Sequence, residues 1–155
     1  MFAVIRLRGG VKTRGEIKDT LAMLHLNRVY HCAVIEDTPS YRGMLQKIKD
    51  FVAYGEITPE ALAMILRNRG ELVGGVKLTD EYIKSKTNYE NIEEFAKAVC
   101  GGKARLRDLP DLKPIFRLHP PRKGLKGAGT KRSYKAGGAL GNWKGEINIL
   151  LEKMR

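Results

Sequence analysis

The chain has 155 residues, with 29 Lys and Arg against 17 Asp and Glu for a formal charge of +12, and a 43% hydrophobic share of which little is aromatic. That length bounds it to one globular domain or a small domain with a large extension, and the apolar share argues against wholesale disorder. The longest apolar run, Ala61 to Leu66, is too short to span a bilayer; Arg6 and Arg8 interrupt any signal-peptide core; Cys32 and Cys100 form no disulfide framework. A cytoplasmic protein with no membrane partner is expected.

Strand and helix signals alternate over the first sixty residues. Residues 2–8 are β-prone, and a Gly9-Gly10 turn leads to a helix with Ile17, Leu21 and Leu24 on one side. Residues 28–36 read as a buried strand. Asp37-Thr38-Pro39 then starts a helix whose Tyr41, Met44, Leu45 and Ile48 form an apolar stripe, and 51–54 supplies a third strand. Two amphipathic helices can cover one face of a three-stranded sheet, an α+β layer arrangement. Thr58-Pro59-Glu60 opens a further helix ending at Gly70. Thr79 caps a short one over 80–85, and Asn91 with Glu94 makes a capping-box-like start for one ended by Gly101-Gly102. Residues 103–118 read as irregular, and a last helix over about 146–154 returns Ile147, Leu150 and Leu151 to the body. The expected division is a 1–57 core, a 58–112 helical extension, a 113–145 basic arm and a 146–155 helix.

The charge is not spread evenly. Net charge is +2 over residues 1–60, +1 over 61–112 and +9 over 113–155. Between 112 and 145 there is no acid, while Lys113, Arg117, Arg122, Lys123, Lys126, Lys131, Arg132, Lys135 and Lys144 lie among seven glycines. Unrelieved like charge repels itself, and such a stretch expects an anion. With few large apolar side chains it is expected to be mobile alone and to order on its partner. A polyphosphate fits best: if about five cations met phosphates, affinity would fall on the order of a hundredfold between about 50 and 200 mM salt. Tyr134 and Trp143 either stack on unpaired bases or, for Trp143, anchor the loop on the domain.

Enzymatic motifs fail on inspection. Gly10-x-x-x-x-Gly15 imitates a phosphate-binding loop, but Glu16-Ile17 stand where lysine and a hydroxyl residue are required. His31 and Cys32 are adjacent and point to opposite faces of a strand, so they cannot chelate one ion, and Cys32 reads as core. Glu93-Glu94 and Asp80-Glu81 are explained by first helical turns. No catalytic group, metal site or cofactor is expected.

The stretch Glu36-Asp37-Thr38-Pro39-Ser40-Tyr41-Arg42-Gly43-Met44, with Lys47 and Lys49 and the following strand, resembles the L-thirty family of large-subunit ribosomal proteins, whose eukaryotic counterpart is L-seven. Leu7-Arg8-Gly9, Asp19-Thr20-Leu21, Tyr54-Gly55-Glu56, Leu106-Arg107-Asp108-Leu109, Arg117-Leu118-His119-Pro120-Pro121-Arg122 and Gly137-Gly138-Ala139-Leu140-Gly141 are similar to its longer archaeal form. The resemblance covers nearly the whole chain. It implies a ferredoxin-like β-α-β-α-β core with the first strand central, and a non-enzymatic rRNA-binding constituent of the large subunit near the 5S rRNA region. Neighbouring ribosomal proteins would be its other partners.

Matching positions expected to meet RNA are Arg8, Arg42, Lys47, Arg117, His119 and Arg122. The charge pattern adds Lys12 and Arg14 in the first loop, and Lys123, Lys126, Lys131, Arg132, Tyr134, Lys135, Trp143 and Lys144 in the arm. For Arg42 an internal salt bridge is an equal expectation, while Thr38-Pro39 and Gly43 are assigned to capping and close helix packing. The alternative function is a free-standing RNA chaperone or an RNA-processing factor.

Overall fold

The computed structural model describes residues 1–125 and 127–155. Strand β1 (Phe2–Arg6) is followed by helix α1 (Gly15–Met23), β2 (His31–Ile35), α2 (Pro39–Ile48) and β3 (Val52–Glu56). β1 pairs antiparallel with both β2 and β3 and so lies centrally, as the family resemblance implies. Two edge additions escaped the sequence reading. β4 (Phe116–Arg117) pairs antiparallel with β2, and β5 (Gly141–Asn142) pairs parallel with β3, giving a five-stranded sheet in the order β4-β2-β1-β3-β5. Each is two residues long, too short to leave a periodicity.

Alternation along the strands fills two cores. Val4, Ala33, Ile35 and Val52 face α1 and α2, where they meet Leu21, Leu24, Leu45 and Ile48. Ala3, Ile5, Cys32 and Ala53 face the other way, against α3 (Pro59–Arg69), α5 (Ile92–Cys100) and α6 (Ile147–Met154), through Leu62, Ile65, Phe95, Val99 and Leu151. The sheet is therefore covered on both faces, with the second layer supplied by residues beyond the three-stranded unit. Each Leu, Ile or Phe fully buried there contributes about 1.5–3 kcal/mol. No helix among the described residues is long and apolar enough to cross a membrane.

Local chemistry explains the helix starts. The hydroxyls of Thr38, Thr58 and Thr79 accept hydrogen bonds from the Tyr41, Ala61 and Tyr82 amides, opening α2, α3 and α4 (Asp80–Lys86). Such a cap contributes about 1 kcal/mol. At α5 the expected box does not form. Asn91 makes no side-chain cap; Asp80 Oδ1 accepts from the Ile92 amide and Glu94 from the Glu90 amide. A long-range carboxylate takes over the work expected of a local side chain.

Two glycines separate by what surrounds them. Gly55 on β3 faces α6, and a Cβ there would collide with the Lys144 carbonyl and crowd Ile147, so the returning chain docks directly on its backbone. Gly43 is the opposite case. It is exposed within α2 and a Cβ would meet nothing within 4 Å, so close helix packing does not explain it.

At the start of β2, the His31 ring is half-buried and its Nδ1 accepts the Arg28 amide at 3.3 Å. Burial lowers its pKa, the charges of Arg117, Arg28 and Arg6 add to the effect, and a backbone hydrogen bond with His25 opposes it. The neutral ring closes the turn.

Gly55→Ala should lose about 1–3 kcal/mol, read by urea unfolding of the Trp143 fluorescence. Gly43→Ala should gain about 0.5–1 kcal/mol in the same assay, because the exposed helix loses only glycine's entropy cost. A histidine whose folded pKa is depressed contributes stability that is fully present above its unfolded pKa of about 6.5 and is lost as pH falls toward the folded value. Wild type should accordingly weaken between about pH 7 and pH 5, and His31→Gln should flatten that part of the profile.

Candidate nucleic-acid interface

Strand register decides which cations share a surface. β1 ends where β2, β3 and β5 begin and where β4 ends, since Ile5 is opposite Cys32, Arg6 opposite Val52, His31 opposite Arg117 and Ala53 opposite Gly141. One end of the sheet thus carries the 7–14 loop with Arg8, Lys12 and Arg14, the Arg28 turn, Arg117 leaving β4, and the arm as it enters β5. Lys47 joins them near the end of α2, paired with Glu16 at 3.1 Å. Arg42 starts from the other end of the sheet, and Lys144 lies beyond β5 against Gly55. The sequence candidates divide into one large group and two outliers.

The arm is more ordered than its composition suggests. Phe116 and Leu118 are buried, and the His119 and Arg122 amides donate to the Met154 and Lys153 carbonyls, tying the chain to the end of α6. From Ala128 onward several backbone amides bond carbonyls of the same loop. Ala128 donates to Gly137, Tyr134 to Leu140, Gly138 to Ser133, and Ala139 to Gly129 and Arg132. A Cβ at Gly138 would collide with the Arg132 carbonyl, so glycine here permits a tight winding of the chain rather than loose motion. These internal bonds, with Ala139, Leu140 and Trp143 buried in the main core, tie the arm to the body in a way its composition does not suggest.

Trp143 requires the second of its two readings. It is only 7% exposed, its Nε1–H donates to the Ala139 carbonyl at 2.9 Å, and its ring stacks on Tyr134 with centroids 4.3 Å apart. It anchors the loop, and in this conformation its faces are not open to a base. Tyr134 commits one ring face to that stack and donates its hydroxyl to Glu146, a bond that raises the phenol's pKa. The two aromatic residues expected to read bases chiefly hold the arm together.

The cations remain outward. Arg122, Lys123, Lys131, Arg132, Lys135 and Lys144 are exposed or half-exposed and make no ion pair among the described residues. Lys126 lies outside the described residues. Lys113 pairs with Glu71 at 3.2 Å, with Arg117 on the same carboxylate at 3.9 Å. Arg42 makes the internal bridge, bidentate to Asp37 at 2.5 and 2.7 Å, which holds that carboxyl below its usual range. Arg8 lies 5.6 Å from the Phe51 ring centroid, and Lys12 and Arg14 are exposed. His119 stays exposed with Nδ1 2.7 Å from the Pro120 carbonyl oxygen. Cys32 is fully buried and its thiol is pushed up to about 12, which keeps it protonated and inert.

Sequence reasoning passed over Arg6 and Arg28. Arg6 donates from Nη1 to the Leu26 and Asn27 carbonyls at 2.7 and 2.9 Å and from Nε to the Arg8 carbonyl at 3.0 Å. The signal for it was a lone arginine at the end of an otherwise apolar strand. Arg28 carried none, because only the β2–β4 pairing brings Arg117 to the same end.

The model of the family described as Ribosomal protein L30p/L7e matches residues 2–52, from β1 to the first residue of β3. Full-length similarity extends much further. The chain is 64% identical over 155 residues to the protein named large ribosomal subunit protein uL30 of Archaeoglobus fulgidus, 57% to that of Methanocella arvoryzae and 56% to that of Methanoculleus marisnigri, with 100% of each chain covered. The similarity therefore spans the arm and α6 as well as the β-α-β-α-β unit, and the chain belongs to the ribosomal protein L30p/L7e family.

Proposed function

We propose that this chain is an rRNA-binding structural constituent of the large ribosomal subunit and is not an enzyme. Its family supports the structural role. The observation that carries the rRNA reading is the gathering of cations at one end of the sheet and along the arm, which, Lys47, Lys113 and Arg117 excepted, have no carboxylate partner among the described residues. A polyanion relieves that repulsion and gains from counterion release. The preformed loop suits RNA because positively charged side chains on a fixed backbone lose less entropy on binding than the same charges on a mobile tail.

Residues 1–57 form the core, 58–112 the supporting helices, 113–145 the gripping arm and 146–155 the helix that returns it. Arg8, Lys12, Arg14, Lys47, Arg117, His119, Arg122, Lys123, Lys126, Lys131, Arg132, Lys135 and Lys144 contact phosphates, with Arg42 presented by Asp37 and one face of Tyr134 left for stacking. The site of action is the ribosome in the cytoplasm, in the 5S rRNA neighbourhood and beside other large-subunit proteins.

Crosslinking of tagged protein followed by RNA sequencing tests this directly. One large-subunit rRNA neighbourhood is expected; scattered transcripts would replace the reading with a free-standing RNA chaperone. In a binding assay, the triple variant Lys131→Glu, Arg132→Glu, Lys135→Glu should weaken rRNA binding. It should also flatten the dependence of log affinity on log salt by about 0.7–0.9 for each phosphate the variant no longer neutralises. Its urea midpoint should stay close to wild type, because none of the three side chains is buried.

A further inference from the structure

We infer that Arg6, with Lys18 and Asn27, forms a phosphate-binding pocket that takes a backbone phosphate of RNA. The inference rests on the rRNA-binding reading and extends it to three residues that reading does not use. The pocket is about 270 Å³ and is lined by Arg6, Gly10, Lys18, Leu21, Ala22 and Asn27, between the end of β1, the first loop and α1.

Its floor is an arginine in an unusual state. Arg6 is 7% exposed, and no carboxylate among the described residues lies within ion-pair distance of it. A buried cation without a counter-ion is strongly unfavourable. Backbone carbonyls of Arg8, Leu26 and Asn27 occupy Nε and Nη1, leaving Nη2 with no hydrogen-bond partner among the described residues. That nitrogen is not sealed in the interior, because the only buried side-chain atom without a partner among the described residues is Arg69 Nε. It lies under Gly10, where an added Cβ would come within 2.8 Å of it. Burial also lowers the pKa of the group, as it does for a charge deprived of solvent and not compensated by an anion.

The lining matches a tetrahedral oxyanion. A planar guanidinium corner supplies directed N–H donors, Lys18 is exposed with no ion pair among the described residues, and Asn27 lines the rim. Around it stand Arg8, Lys12, Arg14 and Arg28, a field that draws in a polyanion strand. Gly10 keeps the roof thin, so that a backbone can approach the guanidinium.

Because Arg6 also holds the 26–27 turn, the test uses Lys18→Glu, which places a carboxylate at the pocket rim and satisfies Arg6 from within. Lys97→Glu, exposed on α5, is the control of equal net charge. The full chain is heated in sodium phosphate and in sodium chloride at matched ionic strength, and its affinity for the crosslinked rRNA fragment is measured across salt. Wild type and Lys97→Glu should melt higher in phosphate than in chloride, and Lys18→Glu should show no such difference. Lys18→Glu should bind the fragment roughly tenfold more weakly than Lys97→Glu, with a shallower salt dependence. If wild type binds, the two variants bind RNA alike and no protein melts higher in phosphate than in chloride, the pocket is overturned while the ribosomal reading stands. A phosphate-specific rise in melting temperature together with equal RNA binding would overturn the RNA source and leave a site for free phosphate. Failure of wild type to bind the fragment would instead sink the rRNA reading itself.

Discussion

The central strand is buried on both faces, and most of the architecture answers to that. Ala3, Val4 and Ile5 have no exposed surface, and their side chains alternate between two cores. Helices α1 and α2 cover only the Val4 face. The Ala3 and Ile5 face needs a second layer, which the chain supplies with α3, α5 and α6 before and after the basic arm. The arm thus lies between two pieces of one core and is tethered at both ends. Its placement follows from apolar burial elsewhere, so it needs no favourable charge interaction of its own to be held.

That separation of roles accounts for the unpaired cations. If the arm were held by salt bridges, its cations would be tied to carboxylates of the chain, as Arg42 is to Asp37. Instead Phe116, Leu118, Ala139, Leu140 and Trp143 supply the holding energy, and Arg122, Lys123, Lys131, Arg132 and Lys135, without ion pairs among the described residues, keep their charge for solvent or a ligand. Electrostatic repulsion among them is a modest cost across exposed, screened distances. Several buried apolar side chains at about 1.5–3 kcal/mol each exceed it comfortably.

What was legible in the sequence is what local chemistry determines. Threonine followed by proline marks the starts of α2 and α3 because both features act within one turn. The net of +9 in the last 43 residues marks the arm because charge is a property of composition. What stayed hidden depends on partners far away in the chain. The two-residue strands β4 and β5 exist only as additions to edges already formed, and the cap of α5 comes from Asp80. Trp143 in a basic, glycine-rich stretch has the composition of a base-stacking residue, and only its fit against Tyr134 and the Ala139 carbonyl decides otherwise.

Gly43 and Gly10 show why a glycine has to be read from its surroundings. Gly43 lies inside a stretch that resembles the family and Gly10 directly follows one, yet they ask for different explanations. At Gly10 the reason is local to the fold, since a methyl group would press on Arg6 Nη2. At Gly43 a Cβ would meet nothing within 4 Å, the helix carries glycine's entropic cost of about 0.5–1 kcal/mol, and no contact among the described residues returns it. A fold selected for stability alone gains by replacing such a residue. Packing among the described residues therefore explains the glycine at position 10 and not the one at position 43.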